Sequence, residues 1–174
     1  MAVHKIDGGP GGQNNHFPKK FVTLYAAAVA AIAKGDWGRL DLTDTTNGIG
    51  MSVEIAPMAT AAGDPMVFGV ATHAIAINTP GNLIVQTAGF YGHPDGSTAG
   101  AGAFAQGTGA AVEPNVAAGS PLASGSAGAA GEAMTYASAT HTASNILGVA
   151  VEAEDAGNYL ASETGVFIFD KGLF

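Results

Sequence analysis

Ala61–His73, AAGDPMVFGVATH, returns later in the chain as Ala129–His141, AAGEAMTYASATH. Seven positions are identical, Asp64 becomes Glu132 and Phe68 becomes Tyr136. Each copy sets a glycine and an acidic residue ahead of a short run, and Gly63-Asp64-Pro65 is a turn signature opening a predicted strand over Met66–Ala71. A second echo accompanies the first. Phe68-Gly69-Val70-Ala71 leads to Gln86-Thr87-Ala88-Gly89-Phe90, and Leu147-Gly148-Val149-Ala150 leads to Glu163-Thr164-Gly165-Val166-Phe167. The two echoes need different spacings, so a duplication predicts an insertion in its second copy between Met134 and Leu147.

Outward from these stretches the punctuation is that of a β-protein. Gly35-Asp36 opens Trp37–Leu42, Thr46-Asn47-Gly48 makes a turn, and Met51–Ile55 alternates before Pro57. Ile75 and Ile77 share a face, Asn78–Asn82 is a turn, and Leu83–Val85 and Gly89–Tyr91 follow. Ala133–Ala137, Ile146–Glu152 and Gly165–Phe169 read as strands of the second half. Phe21–Ala33 has high helix propensity in its alanines but a β-favouring FVTLY at its start, and is read as extended, with a helical turn as the alternative. Short strands between Gly, Pro, Asn and Asp turns predict an all-β body, a sandwich or barrel, with a jelly roll among its forms.

Two stretches stand apart. Residues 1–20, with Gly8-Gly9-Pro10-Gly11-Gly12, read as an extended N-terminal arm ahead of a single domain over 21–174. Residues 92–131 are so rich in Gly, Ala and Ser that they cannot form a core of their own, and read as an insertion: a linker, or an excursion clamped onto a neighbouring subunit.

Charge sharpens the division. The 174 residues carry a formal charge of −8, and charged residues make up 11% against about 25% in average soluble domains, so part of this surface is expected to be covered. Lys5, Lys19 and Lys20 against Asp7 leave the arm positive, while the body is acidic. An acidic body argues against nucleic acid as a partner, because phosphate affinity comes from Lys and Arg. The longest apolar run, Tyr25–Ala33, is too short to span a membrane, and Met1–Gly12 lacks the apolar core of a signal peptide. No membrane partner and synthesis in the host cytoplasm are the expectations. Lys5, Lys19 and Lys20, with Phe17 and Phe21 flanking Pro18, are the candidate partner-binding residues: cations for an acidic neighbour and two aromatic anchors.

Catalytic patterns are missing. There is no cysteine, no G-x-S-x-G, no phosphate loop, and GAGAFAQG only imitates a dinucleotide loop. His73 and His141 each follow Ala-Thr and are read as hydrogen-bonded residues rather than a metal pair; Asp64 and Glu132 are read as turn residues. No catalytic, cofactor or metal residue is nominated, and the chain is expected not to be an enzyme.

Ala31–Trp37 (AIAKGDW), Ala62–Ala71 (AGDPMVFGVA), and Leu147–Ala150 through Glu163–Phe167 (LGVA to ETGVF) resemble the small capsid decoration, or cement, proteins of tailed bacteriophages. The resemblance covers about Ala28–Ala71 and Gly131–Phe169. It implies a β-rich homotrimer on the exterior of an assembled head, bound to the major capsid protein and bridging capsomers, with no cofactor and no catalytic residue. The glycine-rich middle and the long arm depart from the compact members. A carbohydrate- or host-surface-binding virion module is the alternative, with Trp37, Tyr91 and Tyr136 as stacking candidates. A hydrolase would need a sheltered carboxylate pair.

Overall fold

The computed structural model describes residues 19–26, 28, 30–41, 54–57, 66–77, 81–92, 109–124, 130–154 and 162–171. Its strands are β1 (Lys20–Ala26), β2 (Trp37–Asp41), β3 (Glu54–Pro57), β4 (Val67–Ala71), β5 (Gly81–Tyr91), β6 (Ala110–Ala111), β7 (Pro121–Ser124), β8 (Ala133–Thr135), β9 (Ile146–Ala150), β10 (Glu163–Thr164) and β11 (Val166–Ile168), with a 3₁₀ turn at Ala143–Asn145. The protein is all-β. One sheet runs in the order β3-β2-β4-β5-β11-β9-β7-β8, with β1 added to β5, and β6 pairs with β10 separately.

The sheet is nearly closed into a barrel. Trp37 N–H donates to Gly131 O at 2.9 Å, joining the start of β2 to the approach of β8, while Glu113 N–H to Ala133 O and Ala111 N–H to Gly35 O lay the β6 segment across the same gap. The interior holds Trp37, Val67, Val70, Tyr91, Val112, Val116, Leu122, Leu147, Val166 and Ile168. Each fully buried aliphatic side chain contributes about 1.5–3 kcal/mol. A second cluster outside β4 and β5 joins Ala28, Ile32, Phe68, Ala71, Ile75 and Val85.

Phe21–Ala33 is extended where described. Its first part is β1, and Ala28 and Ile32 then make isolated bridges to Ile77 and Ile75. Ala28 packs in the second cluster, while Ala30, Ala31 and Ala33 are exposed. The middle stretch is not a plain excursion: within 92–131, residues 109–124 supply β6, β7 and the buried Val112, Val116 and Leu122. Small residues dominate there because β6 and β7 run where segments approach closely, and Ala110 and Ala123 are wholly buried.

The duplication is real in topology, but not at the spacing of the longer sequence echo. β2-β3-β4-β5 and β7-β8-β9-β11 have the same order, 3-2-4-5 answering to 8-7-9-11, and meet through the antiparallel pair β5–β11. The hydrogen bonds repeat too. Gly35 N–H to Ala71 O, Ala71 N–H to Asp36 O, Asp36 N–H to Ala33 O and Ile75 N–H to Ile32 O are matched by Gly119 to Ala150, Ala150 to Ser120, Ser120 to Ala117 and Glu154 to Val116. Both copies carry a bulge at the same place, Phe68 opposite the Gly38/Arg39 step and Leu147 opposite Leu122/Ala123. FGVA and LGVA are therefore true counterparts. The longer echo is out of register: Val67–Ala71 is β4, whereas the matching Thr135–Ala139 begins at the last residue of β8 and runs into a turn. QTAGF and ETGVF are also displaced, since Ala71 pairs with Val85 and its counterpart Ala150 pairs with Val166.

Candidate functional site

Of the proposed partner-binding residues, Lys5 and Phe17 lie outside the described residues. Lys19 is exposed. Lys20 belongs to β1 rather than to an arm, and its Nζ lies 3.1 Å from the Asp170 carboxylate across the ends of β1 and β11. Phe21 is 51% exposed, on the strand that pairs with β5. The structure thus brings Lys20 and Phe21 to one end of β1, where an internal ion pair already engages Lys20.

That end of β1 borders an apolar surface that sequence reading passed over. A groove of about 480 Å³ opens between Lys20, Ala88, Phe167, Phe169 and Asp170. Phe169 is 39% exposed and meets the half-buried Phe167 edge-on, their centroids 6.1 Å apart. From Phe167 a row crosses the outside of the barrel: Phe167 pairs with Phe90 on one side and Val149 on the other, and Val149 pairs with Pro121. All four side chains are half-buried. The signal was present in the alternation of Leu147–Ala150 and Val166–Ile168, but which face looks inward depends on the bulge at Leu147.

The polar candidates hold the fold together. His141 is buried; its Nε2 lies 2.9 Å from Ser124 O, and its Nδ1 is 3.1 Å from the Ala137 N, whose N–H points to it. Nδ1 also lies 3.0 Å from Ala137 O and from Thr140 Oγ1, so the ring is held by partners on both nitrogens. His73 is on the surface: Nε2 accepts the Ile84 N–H and Nδ1–H donates to Ala74 O, each at 3.1 Å. Among the described residues no three His, Asp or Glu side chains gather as a metal group. Three carboxylates receive backbone donors from distant segments: Glu113 from Thr135, Glu163 from Gly109, and Glu154 from both Asn115 and Ser162.

The charge of Glu132 reaches Asp36. Burial raises the Asp36 pKa, the Ala33 N–H bonded to its Oδ2 at 2.7 Å lowers it, and Glu132 raises it, for a net rise. Asp36 thereby closes the 33–36 turn, while Asp64, the other half of the sequence pairing with Glu132, lies outside the described residues. Tyr91 is pushed well above the ordinary phenol value by burial, then by Glu163 and Asp36, and its hydroxyl donates to Ala71 O at 3.0 Å.

The stacking candidates for a carbohydrate site are not displayed. Trp37 is 1% exposed with its Nε1–H on Ala111 O, Tyr91 lies in the interior, and Tyr136 is half-buried with its hydroxyl towards His141 O.

No family model matches the chain, and no curated protein matches it. Among solved structures, the chain is similar to the N base of head fiber gp8.5 of bacteriophage phi29. The TM-score is 0.54 over 86% of this chain and 95% of that one, at 14% sequence identity. At that identity the likeness is one of fold.

Proposed function

We propose that this protein is a structural component of a bacteriophage virion, attached to the outside of the head through the major capsid protein, where it decorates and stabilises the shell as a self-associating, trimeric unit. The observation that carries this reading is the barrel it shares, over nearly the whole of both chains, with the base of a phage head fiber. The segments resembling cement proteins, Ala31–Trp37 and Ala62–Ala71, point to the same compartment from sequence. The similar solved structure described above is a fiber base, which favours a second reading: a base on the head that carries a projection.

The chemistry suits either role. Glu113, Glu154 and Glu163 are spent on backbone donors, and of the rings that could stack on a ligand Trp37 and Tyr91 are in the core and Tyr136 is half-buried. Purified protein mixed with assembled shells lacking it is expected to co-sediment to a saturating stoichiometry and to raise the temperature at which the shells release their DNA. Shells that neither retain the protein nor gain stability would sink the decorating role.

A further inference from the structure

The barrel closes where the start of β2 meets the approach to β8, and a carboxylate stands in that closure. Trp37 N–H donates to Gly131 O at 2.9 Å, and beside this bond the backbone of Gly131 lies so near Asp36 that a Cβ on it would be 2.9 Å from the Asp36 Cγ. Residues 109–113 cross the same place. Ala111 N–H donates to Gly35 O, Glu113 N–H to Ala133 O, and the Trp37 indole N–H to Ala111 O. Asp36 is also tied to β4, its carbonyl accepting the Ala71 N–H at 2.8 Å. Inside the seam, Trp37 and Val70 of the first repeat pack with Leu147, Ala150 and Val166 of the second, so the stacked repeats meet where the barrel closes.

The ionisable groups around Asp36 come from several elements. The approach to β8 brings Glu132, whose charge opposes that of Asp36. β5 brings Tyr91, because this strand changes faces part-way: its register with β1 passes from Phe21↔Gln86 to Lys20↔Ala88, leaving Thr87 as an extra residue, and Gly89 is left-handed at φ +86°. Val85 therefore packs in the outer cluster while Tyr91, of the same parity, turns inward, its hydroxyl on Ala71 O and within reach of the charges of Glu163 and Asp36. Glu163, from β10, accepts the Gly109 N–H, and Glu113 accepts the Thr135 N–H. Lys34, in the same turn as Asp36, is exposed, and β4 and residues 109–112 carry no charged side chain. The twin of Asp36 in the second repeat, Ser120, makes the same backbone bond, to Ala150, without a charge.

We propose that the barrel opens locally at this seam, the Asp36–Trp37 step of β2 parting from Gly131 and from residues 109–113, and that the charge on Asp36 sets how often it does so: neutral Asp36 keeps the seam shut, and ionised Asp36 lets it open. An ionised carboxylate held partly from water, with a second one near it, costs free energy that opening returns through hydration, whereas the neutral acid has little to gain. Closed, the group has a pKa raised by burial and by Glu132; open and hydrated, it returns to its ordinary value, 3.8. The open form therefore binds fewer protons, so opening is rarest below 3.8 and grows as pH climbs through the closed-state value.

The fold contains its own reporter, since Trp37 is the single tryptophan of the chain and is 1% exposed. Acrylamide quenching of its fluorescence in the full chain is expected to rise with pH between 3.8 and neutrality, and Asp36→Asn is expected to lose that rise. In Glu132→Gln the rise is expected at lower pH, because one of the two causes that lift Asp36 is gone. Hydrogen exchange at neutral pH locates the motion. Compared with the parent, Asp36→Asn is expected to slow exchange of the Trp37, Ala111 and Glu113 amides and to leave those of Gly119 and Ala150, which bond around the twin position, unchanged. Circular dichroism reports folding, and Asp36→Ser, which installs the side chain of the twin position, replaces Asp36→Asn if the latter unfolds. Quenching that is flat with pH in the parent, or that rises equally in the Asp36 variant, overturns the proposal. Equal slowing at both sets of amides also overturns it, because the charge then acts on the whole fold and not on the seam.

Discussion

The first repeat has fully buried side chains on both faces, whereas the outer row of the second, Pro121, Val149 and Phe167, is half-buried, although their strand order, bulges and turn hydrogen bonds are the same. Equivalent backbone positions therefore meet different surroundings. Where the two environments are alike, a substitution should cost the same in both repeats; where they differ, it should not. Trp37 and Pro121 make the point. Both begin the second strand to pair with a bulged neighbour, and one is the largest side chain of the interior while the other lies half-buried outside. Position in the topology sets the backbone, and stacking order sets which side chains it can carry.

The largest expected effect tests where the repeats agree. Gly69 and Gly148 follow the two bulge residues, and a Cβ at either would run into a backbone carbonyl of the neighbouring strand, Gln86 O or Phe167 O. Neither carbonyl can move without parting the ladder. Gly69→Ala and Gly148→Ala are each expected to lower unfolding free energy by about 3 kcal/mol. Chemical denaturation of both variants checks it, and a difference above about 1 kcal/mol between them would show that the duplication is one of topology but not of packing.

The next effect tests where they diverge. Gly35 and Gly119 are equivalent and both left-handed, at φ +95° and +80°. A Cβ on Gly35 would sit 2.7 Å from Gly109 O, whereas one on Gly119 meets nothing within 4 Å. Gly119→Ala is expected to cost only the backbone strain, about 1–2 kcal/mol, and Gly35→Ala clearly more, as read from paired thermal melts. Equal costs would mean that the β6 segment yields readily and does not brace the seam.

How much of this could be read from sequence follows from the same contrast. Turn chemistry marked the strands from Trp37, Met66, Ile146 and Gly165, because Gly-Asp, Gly-Asp-Pro and Asx turns act locally. FGVA and LGVA echoed because close approach admits only glycine at their second position. Register was hidden. A bulge shifts every later side chain to the other face, so Thr87, Phe68 and Leu147 decide what lies inside without any compositional mark. Residues 109–124 looked too poor in bulk to matter, yet Ala110, Ala123 and Leu122 are wholly buried where strands crowd. Trp37 and Tyr91 looked like binding aromatics because a sequence shows the ring and not the wall around it.

The histidines that seemed paired by the longer echo separate the true repeat from the apparent one. His141 is 5% exposed and holds Ser124 O and Ala137 N–H together, so His141→Ala is expected to cost about 1–3 kcal/mol by removing its buried bonds to both groups. His73 is partly exposed and water can replace it at Ile84 N–H and Ala74 O, so His73→Ala should cost only a few tenths of a kcal/mol. Denaturant midpoints of the two variants give the comparison, and similar losses would restore the longer echo as a structural one.

The smallest effect concerns Asp36, whose counterpart in the second repeat is the uncharged Ser120. Asp36 is raised above the ordinary carboxylate value by burial and by Glu132, against the lowering effect of the Ala33 N–H. A carboxyl with a raised folded-state pKa contributes stability that is fully present below its unfolded value, 3.8, and lost as pH climbs through the folded value. At neutral pH the charged form is therefore a burden. Asp36→Asn keeps an oxygen for the Ala33 N–H and removes both the buried charge and its repulsion with Glu132, so the variant should be slightly more stable than the parent at pH 7. The gain should stay below about 1 kcal/mol, because the group is partly solvated and screened. On lowering the pH, the gain should shrink across the interval between the folded value and 3.8 and vanish below it, where parent and variant are both neutral at this position. Melting temperatures of the two proteins across that range decide it. A variant less stable at every pH would mean that the ionised oxygen's bond to Ala33 outweighs its burial, and that the first repeat keeps Asp36 charged to hold the turn that Ser120 leaves to the backbone alone.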